Sequence, residues 1–253
     1  MKRMYTLIAL STMLLLITYS TTVMGQDSKY FKGKGYVSLF NGKDLTGWVI
    51  PEGDNGHWNV IDGVIDYDAR TEAKKVRDLM SGKEYGDFEL HVEWRFKGYG
   101  DHLFPLPTIL ENGDYLRDEK GNVIKALKPN SDSGILLKGA GQVNLWCWEV
   151  GSGELWSVRN NKNLPAEVRA AAVPSENADK PVGQWNALDI ILKGDRLTVI
   201  NNGKVVIDNA LYPDMPKKGQ IGLQHHGGIN EATGKLKGAS SLVQFRNIWI
   251  KEL

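Results

Sequence analysis

The stretch NALDIILKGDRLTVINNGKVVID, from Asn186 to Asp208, holds three aliphatic-rich segments separated by two turn signals. Lys193-Gly194-Asp195 and Asn201-Asn202-Gly203 supply residues that accept the positive φ of a tight hairpin. Three consecutive antiparallel strands are predicted, and with them an all-β chain. The same pattern extends in both directions. DFELHVEWRF, Asp87 to Phe96, alternates Phe88, Leu90, Val92, Trp94 and Phe96 with Glu89, His91, Glu93 and Arg95. A period of two with large apolar residues marks a half-buried strand whose charged row is a solvated outer face.

Further out, HWNVIDGVIDYDA, from His57, reads as a hairpin about Asp62-Gly63, and GYVSLFNGKDLTGWVI, from Gly35, as a strand, an Asn41-Gly42 turn and a buried Trp48. GQIGLQHHGG and SSLVQFRNIWIKEL add two strands, the second with a bulge near Arg246-Asn247. Pro165 to Ala172 is the one short helix. Strand signals about every ten residues with almost no helix predict a two-sheet antiparallel β-sandwich. Lys97 to Asn130 loses the pattern; long insertions of this kind are often functional, and Asp101, His102 and Asp114 become site candidates.

The chemistry concentrates in SDSGILLKGAGQVNLWCWEVGSGELWSVR, Ser131 to Arg159. Asp132 stands beside Ser133-Gly134, and Trp146, Trp148 and Trp156 are interleaved with Glu149 and Glu154. Indole faces receive the C–H faces of pyranoses, and carboxylates accept hydroxyl protons or do acid/base work, so the composition suits a sugar site. It equally describes a buried sheet core.

The first residues carry Lys2 and Arg3, an apolar run from Leu7 to Ile17, and small or polar residues up to Gly25. The run is too short for a bilayer core of about 30 Å, so residues 1–25 read as a signal peptide. A tail over 26–34 and a single domain over 35–253 follow. The expected product is exported, soluble, and periplasmic or extracellular. Loss of Lys2 and Arg3 with no acid moves the formal charge from +1 to −1, which argues against a nucleic-acid or membrane partner. The single Cys147 excludes an internal disulfide.

The wording of eight blocks, in order, then carries a resemblance: SLFNGKDLTGW, YGDFELHVEWR, SDSGILLKG, QVNLWCWEVGSGE, ADKPVGQWN, LTVINNGKVV, IGLQHHG and FRNIWIKEL. Together they resemble the 3-keto-disaccharide hydrolase family, domain of unknown function 1080, from Tyr36 to Leu253. The resemblance implies a concanavalin-A-like jelly roll acting on glycosides oxidised at carbon 3, with a sugar 3-oxidoreductase supplying the substrate. A C3 ketone acidifies the C2 proton; a base forms the enediolate, the C1 substituent leaves, and water can add back. Such a site needs a base, an electrophile for the enolate oxygen and a proton donor. Under this reading Glu149 or His225 is the base, Glu154 and Asp132 are the other catalytic carboxylates, and Arg159 holds the enolate oxygen or a hydroxyl. Trp146, Trp148, Trp156, Ser133, Gln224 and His226 bind substrate. Only one of His225 and His226 can face a concave site, because strand neighbours point to opposite faces. A divalent metal is the alternative electrophile, and structural calcium has Asp62, Asp66 and Asp68 as candidates; metal stays open. A lectin-like binding module is the alternative function. An ordinary glucanase is disfavoured, because Gly151-Ser152-Gly153 interrupts the alternation its acids require.

Overall fold

The structure, a computed structural model, describes residues 29–100 and 103–253. The signal-peptide reading and the candidates Asp101 and His102 lie outside the described residues. Two compact units are present, one ending at Val37 and one from Ser38 to Leu253. In the first, residues 29–33 are helical, and the Phe31 and Tyr36 rings meet edge to face at 5.4 Å.

The strands in chain order are β1 Val37–Ser38, β2 Trp48–Val49, β3 Trp58–Ile61, β4 Val64–Asp68, β5 Leu79–Tyr85, β6 Phe88–Phe96, β7 Leu103–Pro107, β8 Lys125–Pro129, β9 Asp132–Leu137, β10 Gly141–Trp146, β11 Asn186–Lys193, β12 Arg196–Asn201, β13 Lys204–Leu211, β14 Gly219–Leu223 and β15 Leu242–Glu252. One sheet runs β13-β12-β11-β6-β15-β4-β3, the other β10-β9-β14-β5-β2, and β7 pairs with β8 separately. All pairings are antiparallel. This is the expected two-sheet antiparallel sandwich.

The turns form as the sequence dictates. Asp62 and Gly63 sit at φ 50° and 80°, and Asn202 and Gly203 at 51° and 82°, both two-residue turns with positive φ throughout. Asn247 at φ 48° marks the bulge, where the β15–β6 register slips between Arg246 and Trp249. Between the sheets, Phe88, Leu90, Val92, Trp94 and Phe96 of β6 join Ile135 and Leu137 of β9, Val143 and Leu145 of β10, and Ile221 and Leu223 of β14 in one buried core. The charged row of β6 faces outward and is tied across strands: His91 Nδ1 lies 2.6 Å from Asp189, Arg246 donates to Glu93 at 2.6 Å and Lys251 to Glu89 at 3.3 Å.

Three expectations change. A second helical turn, Trp156–Asn160, accompanies the predicted one, observed at Ala166–Ala170; five residues are too few to display a helical period. The insertion is not irregular, since β7 and β8 form a ribbon within it. Pro105, Pro107 and Pro129 hide these strands, being tolerated only because a two-stranded ribbon is all edge. The calcium candidates are engaged singly: Asp62 forms a turn, Asp66 accepts from Lys97 at 2.8 Å and Gln244 at 2.6 Å, and Asp68 lies 3.0 Å from His57. Among the described residues no group of three or more His, Cys, Asp and Glu is placed to hold a metal, nor is any helix long and apolar enough to cross a membrane.

Candidate active site

The site lies on the outer face of the smaller sheet, and strand alternation builds it. On β9, Ile135 and Leu137 enter the core, which leaves Asp132, Gly134 and Leu136 outside. On β10, Val143 and Leu145 go in, and Gln142, Asn144 and Trp146 face out. Ile221 and Leu223 of β14 go in, and the phase persists past the strand end. Gln224 and His226 therefore face outward, while His225 turns inward.

A cavity of about 340 Å³ opens there, floored by Asp132, Gln142, Asn144, Gln224 and His226, and walled by Trp146, Trp148, Trp156, Ser157, Ala239 and Phe104. Trp146 and Trp148 stack at 4.0 Å with planes 8° apart. The Trp146 indole N–H donates to Gly151 O at 2.8 Å, and that of Trp148 is buried with no protein partner. Gln142 and Gln224 clasp each other, Gln142 Nε2 donating to Gln224 Oε1 at 2.9 Å and Gln224 Nε2 to Gln142 Oε1 at 3.0 Å. Gln224 lines the cavity and spends one of its two amide N–H bonds on Gln142.

Asp132 and His226 are neighbours in the cavity. His226 Nδ1 lies 2.6 Å from Ala239 O; a carbonyl only accepts, so Nδ1 carries a proton, and in the neutral ring Nε2 presents its lone pair. That Nε2 is 3.9 Å from Asp132 Oδ2. Burial pushes the Asp132 carboxyl up to about 6, against the pull of His226. Ser241 fixes the pair: its Oγ accepts from His226 N at 2.7 Å and donates to Asp132 O at 2.6 Å.

Such a cavity, with aromatic walls, an amide floor and a carboxyl beside an imidazole, suits a sugar ring. Residues 35–251 match the model of the 3-keto-alpha-glucoside-1,2-lyase-like domain. The chain belongs to this family. Two crystal structures of candidate glycosyl hydrolases from Parabacteroides distasonis are similar to it. One is 25% identical with TM-score 0.50, covering 87% of this chain and 84% of that one; the other is 21% identical with TM-score 0.52, covering 88% and 96%. A comparison with curated proteins gives no match. The molecule is thus a carbohydrate-active β-sandwich of the 3-keto-alpha-glucoside-1,2-lyase-like family.

Against this lyase-like site the predicted residues sort clearly. Asp132, Trp146, Trp148, Trp156, Gln224 and His226 converge on the cavity. His225 does not: it packs edge to face on Tyr67 at 5.6 Å, its Nδ1 meets the Tyr67 hydroxyl, and burial drives its pKa down to about 4. Ser133 is buried and donates to Gln224 O at 2.9 Å, positioning that strand end rather than touching a ligand. Glu149 is exposed and paired with Lys128. Glu154 is fully buried in an ion pair with Arg159 and accepts from Asn144 Nδ2 at 3.4 Å. Burial raises its pKa and Arg159 opposes the rise. Arg159, 1% exposed, also donates from Nη1 to Gly113 O at 3.3 Å and from Nη2 to Tyr115 Oη at 3.0 Å. These two are therefore a buried staple between the sheet and the insertion. Asp114 of the insertion pairs with Lys162 and Arg169.

Sequence reasoning missed Gln142, Asn144, Ser157, Ser241 and Phe104. The first two share the phase of Trp146 in QVNLW, a signal that was present. Gly134 shows how closely the amides fit, since a Cβ there would lie 2.5 Å from Gln142 Nε2 and 2.8 Å from its Cγ. The obstacle is a movable side chain, so Gly134→Ala is expected to keep the fold but part the Gln142–Gln224 clasp. The expected outcome is an unchanged melting temperature with KM for a sugar substrate raised about tenfold, equivalent to about 1.4 kcal/mol.

Proposed function

We propose that the protein cleaves the glycosidic bond of 3-keto-glycosides by β-elimination. The observation that carries this reading is the pairing of a lone-pair-bearing His226 Nε2 with a pKa-raised Asp132 inside a tryptophan-walled, ring-sized cavity. His226 Nε2 takes the C2 proton. Electrons of the C2–H bond form the C2–C3 enolate, whose oxygen accepts the second amide N–H of Gln224. The enolate then collapses, the C1–O bond breaks, and Asp132 delivers its proton to the departing oxygen. The product is an enone sugar and a free aglycone; addition of water across C1–C2 makes the net reaction hydrolysis. The ketone must come from a sugar 3-oxidoreductase. Export to the periplasm or exterior is part of the same proposal, supported by the residue pattern of 1–25 and tested by fractionating expressing cells.

The mechanism fixes a pH dependence. Asp132 acts protonated, so kcat/KM is expected to fall as pH rises through about 6, and Asp132→Asn is expected to remove that limb. Deuterium at C2 tests the chemistry. A primary isotope effect on aglycone release is expected, whereas its absence together with a solvent-derived C1 hydroxyl formed in one step would mean direct hydrolysis.

A further inference from the structure

We infer that the groove beside the sugar cavity is an aglycone subsite built for an apolar group of at least ring size; this rests on the sugar ring sitting at Asp132 and His226. The groove encloses about 1200 Å³ and shares Gln142, Trp156 and Ser157 with the sugar cavity, so the two adjoin on the sheet's outer face. Trp156, 49% exposed, lines both.

The floor is apolar by construction. Met80 and Leu136 close over Gly222, where a Cβ would lie 2.5 Å from Met80 Sδ and 3.0 Å from Leu136 Cδ1. Only glycine lets these two side chains meet across the strand between them. The far wall is Val49, Ile50 and Val76, which are 52%, 51% and 58% exposed. Aliphatic side chains gathered on the open end of a ligand cavity gain burial only when something covers them. Charges along the lining come in both signs, Lys74 and Lys75 against Glu52, Glu72 and Asp78, whose carboxylate already accepts the His225 N–H at 2.7 Å, so the groove does not present a single charge to an ionic group. Part of the wall is fixed by the fold: Val49 of β2 pairs with Met80 of β5, and among the charged lining residues Glu72 accepts from Asn55 at 3.1 Å and lies 3.4 Å from His57. A preformed apolar subsite binds without a large ordering cost.

Calorimetry with unoxidised methyl glucoside and unoxidised naphthyl glucoside tests the subsite apart from turnover. The naphthyl compound is expected to bind at least about tenfold tighter, from burial of its ring area. The double substitution Val49→Asp with Val76→Asp, at exposed positions, should bring the two affinities together, with the melting temperature reporting that the fold is intact. Equal affinities in the wild type, no measurable naphthyl binding, or a preference that the double substitution leaves unmoved would each overturn the inference. Release from the 3-keto forms is scored separately. An intact naphthyl preference with no release from either keto compound would sink the elimination reading and leave the subsite standing.

Discussion

Replacing His226 with Gln is expected to lower turnover of a 3-keto-glycoside by about 10²- to 10⁴-fold, the usual contribution of a positioned general base. The substitution keeps a polar side chain on the outward phase of the chain after β14, so glycoside binding should change little. Asp132→Asn should behave differently. Its loss should be nearly complete for a poor leaving group and small for a nitrophenyl aglycone, which departs without a proton. His226→Gln should show no such rescue, because proton abstraction at C2 precedes departure. Equal sensitivity of both variants to leaving-group quality would mean that the two roles are wrongly divided.

Glu154→Gln is expected to act on stability first. It leaves the Arg159 guanidinium buried with only neutral partners, Gly113 O and Tyr115 Oη. Removing one member of a buried ion pair costs about 3–5 kcal/mol, which for a domain of this size lowers the melting temperature by on the order of 10 °C. Activity should fall as a consequence. Arg159 ties down the insertion whose β7 brings Phe104 to the cavity wall, and stacks on the Tyr115 ring at 4.7 Å. Glu154→Met combined with Arg159→Leu should cost less than either single change, since no unpaired charge remains. A Glu154→Gln protein with wild-type melting and no turnover would instead restore Glu154 to the chemistry.

The contrast between His225 and His226 shows how far sequence carries. Alternation correctly said that one of the two faces the site, and the phase of Ile221 and Leu223 was available to say which. An apolar residue two positions earlier puts His225 in register with the core, where Tyr67 and Trp58 stack at 3.9 Å beneath it. The sandwich itself was legible because its hairpins rely on local signals, Asp62-Gly63 and Asn202-Gly203. Glu154 was misread for the opposite reason. Gly153 N donates to Asn144 O and Asn144 N to Glu154 O, so the chain folds back on β10. That reversal, with Gly153 at φ 118°, buries a carboxylate that composition alone places beside tryptophans on a surface. Ser241 was invisible because its bond to Asp132 spans 109 residues of sequence, with no local pattern to mark it.

The central claim is that a C3 ketone is required for cleavage. Incubating the protein with a 3-keto-glucoside bearing a chromogenic aglycone and with its unoxidised parent, each with and without chelator, tests it most directly. Release from the keto compound alone, at equal rates in both chelator arms, is the predicted result, with Gln224 as the enolate donor. Release from the unoxidised parent at a comparable rate, or from neither compound, would contradict it.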